Sequence, residues 1–135
     1  MNFKENKPIY LQIADRIMDE ILNSTYPEGG RIPSVREYAA MVEVNANTVV
    51  KSFDFLQNNE IIFNKRGLGY FVAEGAVQKI ISNRKDTFLN DELPEMFVKL
   101  KQLDISMNEV QTMFRDWLKK QKNKTNIPLY YDITI

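Results

Sequence analysis

Asn47, Thr48 and Lys51 lie on the side of a short helical pattern opposite Val49, Phe53 and Leu56. Asparagine can bond an adenine edge through two hydrogen bonds. Threonine can meet a thymine methyl or a phosphate, and lysine can reach guanine or a phosphate. Such a trio on an arbitrary helix is usually no more than a solvated face. Two further basic features give it weight. Arg36 stands eleven residues before Asn47, where it can reach a phosphate or pair with a nearby carboxylate, and spacing alone leaves both open. Lys65 and Arg66 precede Gly67-Leu68-Gly69, so they are expected at a tight turn, following a backbone or entering a minor groove. Ser34 reads first as a helix cap, although a cap also exposes N–H groups to an anion.

Other chemistries are scarce. The 135 residues include no cysteine and no histidine. That removes thiolate and imidazole metal sites, cysteine nucleophiles and histidine-based triads. Gly67-Leu68-Gly69 lacks the spacing and following helix of a phosphate-binding loop. We therefore expect no enzyme, no metal and no cofactor. Eighteen basic residues balance eighteen acidic ones, with a net of −1 over residues 1–73 and +1 over 74–135. Neither half is a polycation, so a nucleic-acid surface has to come from where the charges sit. Asp15, Asp19 and Glu20 gather on the first helical pattern, where they can face away from DNA. Met1 to Lys7 are polar, unlike a signal peptide, and no apolar run approaches the ~18 residues of a membrane span, so a cytoplasmic protein is expected.

The elements that must position these side chains are legible. Tyr10, Ile13, Ala14, Ile17 and Ile21 recur at helical spacing from Pro8 to Ser24, with Pro8 suited to a first turn. Tyr26-Pro27-Glu28-Gly29-Gly30 breaks the pattern. Ser34 and Glu37 form a capping box that starts a helix running to about Met41. Val42-Glu43-Val44 makes a tight turn without its usual glycine, and Asn45 caps a second helix from Ala46 to about Asn59. Two short helices on such a turn have the dimensions of a helix-turn-helix. Ile61 to Phe63 and Tyr70 to Val72 read as paired strands around a turn over 64–69, with Arg31-Ile32 able to add a third. Helix, helix, helix and hairpin is the order of a winged helix-turn-helix.

The last sixty residues are different. Apolar positions from Ala76 to about Asp104 predict one long helix, with a kink or break between Asp91 and Pro94. Ser106 and Glu109 form a second capping box, with Ile105 and Val110 placed as its staple. The helix they start is expected to bury Val110, Met113, Phe114, Trp117 and Leu118 and ends in lysines. Two helices cannot enclose a core, so Phe88, Phe97, Leu100, Val110, Met113, Phe114 and Trp117 are expected at a homodimer interface. Folding back onto the chain's own winged part is the alternative. Such an interface can also hide a pocket, which leaves a small-molecule effector open. Residues 121–135, with Leu129-Tyr130-Tyr131, form a tail that the pattern does not place. We expect a mainly α chain with a small β-hairpin: a winged helix-turn-helix domain over 1–74 and a two-helix dimerisation hairpin with its tail over 75–135.

Pro8-Ile9-Tyr10-Leu11-Gln12-Ile13, Gly30 to Glu37, Val44 to Val49 and Arg66 to Val72, in that order and spacing, resemble the GntR family of bacterial transcription regulators. The short helical remainder is similar to the YtrA type of that family. The resemblance implies a homodimeric repressor binding double-stranded DNA at a near-palindromic operator. It implies contacts from Arg36, Asn47, Thr48, Lys51 and the wing around Arg66 to Gly69. The chain departs from the family's pattern at Val50, where many relatives are basic, at Glu60, where a glycine commonly ends the helix, and at Leu68, often polar or basic. The competing reading is a winged-helix protein-interaction module, in which the same hairpin and helix grip another protein, a use for which the apolar Val50, Phe55 and Leu68 would be suited. A mobility shift with duplex DNA at low salt separates the two.

Overall fold

In a computed structural model that describes residues 6–122, the chain divides into two compact units, Met1–Ile81 and Ser82–Ile135. The tail expected over 121–135 lies almost wholly outside the described residues. The first unit is built on α1 (Ile9–Leu22), α2 (Val35–Val42) and α3 (Ala46–Asn58). It continues through β1 (Ile62–Lys65) and β2 (Gly69–Val72) into the start of α4 (Ala76–Thr87). Pro8 stands just outside α1 rather than in its first turn, and its carbonyl accepts from the N–H groups of Leu11 and Gln12. Ile13, Ala14, Ile17 and Ile21 of α1 are buried with Tyr38 and Val42 of α2 and Val49, Phe53 and Leu56 of α3. Apolar residues at i, i+3, i+4 and i+7 put one stripe of each helix into this core.

The two capping residues act as their types predict. Ser34 Oγ accepts from Glu37 N at 3.1 Å while Ser34 N donates to Glu37 Oε1 at 3.2 Å, closing the box at the start of α2. Asn45 Oδ1 accepts from Asn47 N at 2.8 Å at the start of α3. Where a glycine is usual between the helices, Glu43 takes the left-handed conformation itself, with φ 57°. Glu60, after α3, does the same with φ 58°. Neither substitution interrupts the fold, because a single left-handed non-glycine residue costs only about 1–2 kcal/mol.

The hairpin is tighter than the pattern suggests. Ile62 faces Val72 and Lys65 faces Gly69 in antiparallel register, leaving Arg66, Gly67 and Leu68 to turn. Gly67 has φ +79° there, and Leu68 N donates to Lys65 O at 2.8 Å. The third strand is reduced to a bridge between Arg31 and Phe71, with Ile32 N donating to Tyr70 O and Val72 N to Gly30 O. Tyr70 meets Phe53 edge-on, ring centroids 4.9 Å apart, so the wing is packed directly on α3.

Ser52 sets where α3 lies on α1. Its side chain is fully buried, and Oγ donates to the Tyr10 carbonyl at 2.7 Å, with the Thr48 carbonyl 3.2 Å away. Ser52→Ala removes the hydroxyl that Tyr10 accepts from across that packing. Urea denaturation should show a loss of about 1–2 kcal/mol. A loss below a few tenths would mean that water replaces the hydroxyl.

In the second unit the long helix expected over 76–104 is present, with a change of winding in place of a break. α4 passes into a π-helical turn, Phe88–Glu92, and then into α5 (Leu93–Gln102). Leu93 N donates to Phe88 O, five residues back. Pro94 has no N–H for Asn90 and its ring would clash with that carbonyl in a regular α-helix, so the wider turn absorbs both defects. α6 (Met107–Lys122) follows, its start capped by Ser106 Oγ accepting from Glu109 N. Of the apolar residues expected to be buried along it, only Leu118 is buried. Met113 is 68%, Phe114 57% and Trp117 50% exposed, while Val110 is half-buried.

Candidate nucleic-acid interface

Burial of Val49, Ser52, Phe53 and Leu56 turns the other side of α3 to solvent. Asn47, Val50 and Lys51 are exposed there, and Thr48 is half-buried. Arg36 is exposed in the first turn of α2, behind the Ser34 cap. α2 is held in turn by Tyr38, whose hydroxyl donates to Glu20 Oε1 at 2.5 Å. Burial, reinforced by the Glu20 carboxylate, pushes that hydroxyl far above the ordinary tyrosine range, so it remains a donor.

The acidic residues of this unit are largely committed to partners. Glu20 serves Tyr38, and Asp15 pairs with Lys7. Glu60 pairs with Lys79 at 2.7 Å, which holds its carboxyl below the usual range. Glu37 is likewise held low, first by the Ser34 N–H and hydroxyl and further by the charge of Arg31. Glu28 accepts from Gly75 N at 2.8 Å and Val77 N at 3.1 Å, a carboxylate seated on the first turn of α4. Among the described residues, Arg36, Lys51 and Arg66 form no ion pair. These three cations thus stand without a carboxylate partner among the described residues, while Asp15, Glu20, Glu28, Glu37 and Glu60 of the same unit are each held by an internal partner.

The wing needs one correction. Lys65 is not at the tip: it belongs to β1, and its ammonium lies 4.6 Å from the centroid of Phe71 and 5.7 Å from that of Phe63. Its place opposite Gly69 and the pull of the two rings draw it back from the turn. Arg66, Gly67 and Leu68 form the tip. Gly69 has φ +111°, and a Cβ there would stand 3.0 Å from Arg31 Nε, so its bare backbone is where Arg31 lies. Nothing local in the sequence marks Glu28 as the anchor of the α4 start or Arg31 as a neighbour of the wing. Ser52 alone carries a signal, as a hydroxyl in phase with Val49, Phe53 and Leu56.

The gntR family of bacterial regulatory proteins matches residues 9–72, the span from α1 to the end of β2. The HTH-type transcriptional regulator YhcF of Bacillus subtilis (strain 168) is 38% identical over 109 residues, covering 80% of this chain and 88% of YhcF. The chain belongs to the GntR family. This GntR-family chain is also 26% identical over 117 residues to the transcriptional repressor YtrA of the same organism, covering 87% of the chain and 86% of YtrA. A crystal structure of a GntR-family transcriptional regulator from Bacteroides thetaiotaomicron superposes with TM-score 0.77 at 54% identity. It covers 83% of this chain and 98% of the other. Membership makes the GntR-family chain a DNA-binding transcriptional regulator and not an enzyme. Among the described residues, no helix is long and apolar enough to cross a membrane.

Proposed function

We propose that this regulator is a cytoplasmic homodimeric repressor of the YtrA type, acting on a near-palindromic operator. The observation that carries the reading is the outward Asn47–Lys51 edge of α3, with uncompensated Arg36 on the adjoining helix. In a helix-turn-helix the second helix lies in the major groove, and dimers read half-sites about 34 Å apart. Asn47 and Thr48 read base edges, and Lys51 takes a base or phosphate. Arg36 holds a phosphate, Ser34 keeps the α2 start in place, and Arg66 with Gly67 and Gly69 brings the wing to the backbone. The repressor YtrA supports the direction of control. Phe88, Phe97, Leu100, Val110, Met113, Phe114 and Trp117 supply the subunit interface. We further propose that residues 1–74 form the reading domain and 75–135 the dimerisation region.

Selection of tight-binding duplexes from a random pool, followed by titration of variants against them, tests the reading. Arg36→Ala should weaken binding to selected and random duplexes alike and make the slope of log K against log salt shallower by about 0.9. Asn47→Ala should cost about 1–3 kcal/mol on the selected duplex and relax preference at one base pair. Equal loss on both duplexes for Asn47→Ala would overturn its base-reading role. Selection of no duplex at low salt would overturn the whole reading.

A further inference from the structure

The antiparallel register places Phe63, Phe71, Lys65 and Gly69 on one face of the hairpin, opposite the face where Ile62 and Val72 are buried and Tyr70 meets Phe53. The Arg31–Phe71 bridge adds Arg31 to that outer face. Phe63 and Phe71 stack with centroids 6.0 Å apart. Lys65 rests on Phe71, and Arg31 crosses the position that a Gly69 side chain would occupy. Two cations therefore border the same bare stretch of β2 backbone, one from β1 and one from the segment before α2. Neither pairs with a carboxylate among the described residues, and Glu37, which feels the charge of Arg31, has its Oε1 on Ser34 N.

We propose that Arg31 and Lys65 together seat one DNA backbone phosphate on the outer face of the wing, over Gly69. The proposal rests on the DNA-binding reading above and adds Arg31 as a contact. Two like charges on one face repel one another, and a phosphodiester anion shared between them relieves that repulsion. The aromatic pair beneath keeps Lys65 close, and the missing Cβ at Gly69 leaves room for the Arg31 guanidinium on the same face. A planar guanidinium and a point-charge ammonium suit two oxygens of a single phosphate.

Arg31→Gln, Lys65→Gln and the double variant of the full chain should be titrated with a selected duplex and a random duplex from 50 to 200 mM salt. Each single variant should lose affinity equally on both duplexes, with the salt slope shallower by no more than about 0.9. The double variant should also stop at about 0.9, because one phosphate is lost however many of its partners are removed. A double-variant change of about 1.8 means two separate phosphates and overturns the shared seat. No change in slope for Arg31→Gln, in a variant whose thermal unfolding matches the parent, removes Arg31 from the interface. Wild-type protein that binds neither duplex refutes the underlying DNA-binding reading, a different failure.

Discussion

Trp117→Glu will convert the proposed dimer to a monomer and reduce affinity for a duplex carrying two half-sites by about 10²–10⁴-fold. The magnitude is the loss of avidity: once one reading head is bound, the second acts at high effective concentration only while the subunits are joined. Trp117 is half exposed in the single chain and stacks on Phe114, ring centroids 6.3 Å apart and planes 16° from parallel. A carboxylate placed in that stack would be buried by the proposed interface, and its desolvation costs several kcal/mol. Sedimentation equilibrium reads the mass, and titration with one-site and two-site duplexes reads the avidity. The variant should bind a single half-site as the parent does. A Trp117→Glu protein that sediments as a dimer would move the interface elsewhere.

Phe53→Ala has the second large effect, about 3–5 kcal/mol of lost stability. Phe53 is buried in the first unit and meets Tyr70 edge-on, so the truncation opens a cavity between α3 and the wing. Domains of this size hold only about 5–15 kcal/mol in total, which brings the variant near its unfolding threshold at 37 °C. Urea or thermal denaturation checks it. A loss near 1 kcal/mol would mean that the neighbouring side chains collapse into the gap.

Local signals carried much of this architecture. Ser34 with Glu37, and Asn45 before Ala46, announce helix starts because their side chains satisfy N–H groups that no helix can satisfy for itself. The glycines at 67 and 69 announce the hairpin because both take positive φ. What stayed hidden depends on partners far along the chain. Glu28 reaches Gly75 and Val77, 47 and 49 residues away, and nothing in its neighbourhood signals that. Arg31 and Lys65 look like unrelated surface charges until pairing sets them about Gly69 and Phe71. The departures at Glu43 and Glu60 are tolerated because each asks for one left-handed residue at a helix end, with backbone bonds across the turn retained. The exposed positions follow from helical phase: burying Val49, Phe53 and Leu56 of α3 leaves Asn47 and Lys51 no other side, and burying Tyr38, Ala39 and Val42 of α2 turns Arg36 outward.

The wide turn at Phe88–Glu92 also sets the rotational phase of α5. Nine residues of regular α-helix separate Phe88 from Phe97 by about two and a half turns, which would aim the two rings in opposite directions. A π turn takes up roughly one residue without advancing the screw, bringing them to within about a quarter-turn. Deleting one residue from this segment, with Pro94 replaced by alanine, would therefore let the helix close into an unbroken screw with Phe97 and Leu100 still facing the same way. Rewinding the segment as regular α-helix at its present length would instead carry α5 round by about 100°. The surplus residue is thus a phase spacer: whether it is absorbed as a bulge decides which aromatic surface the second unit presents, while every side chain of the first unit stays in place.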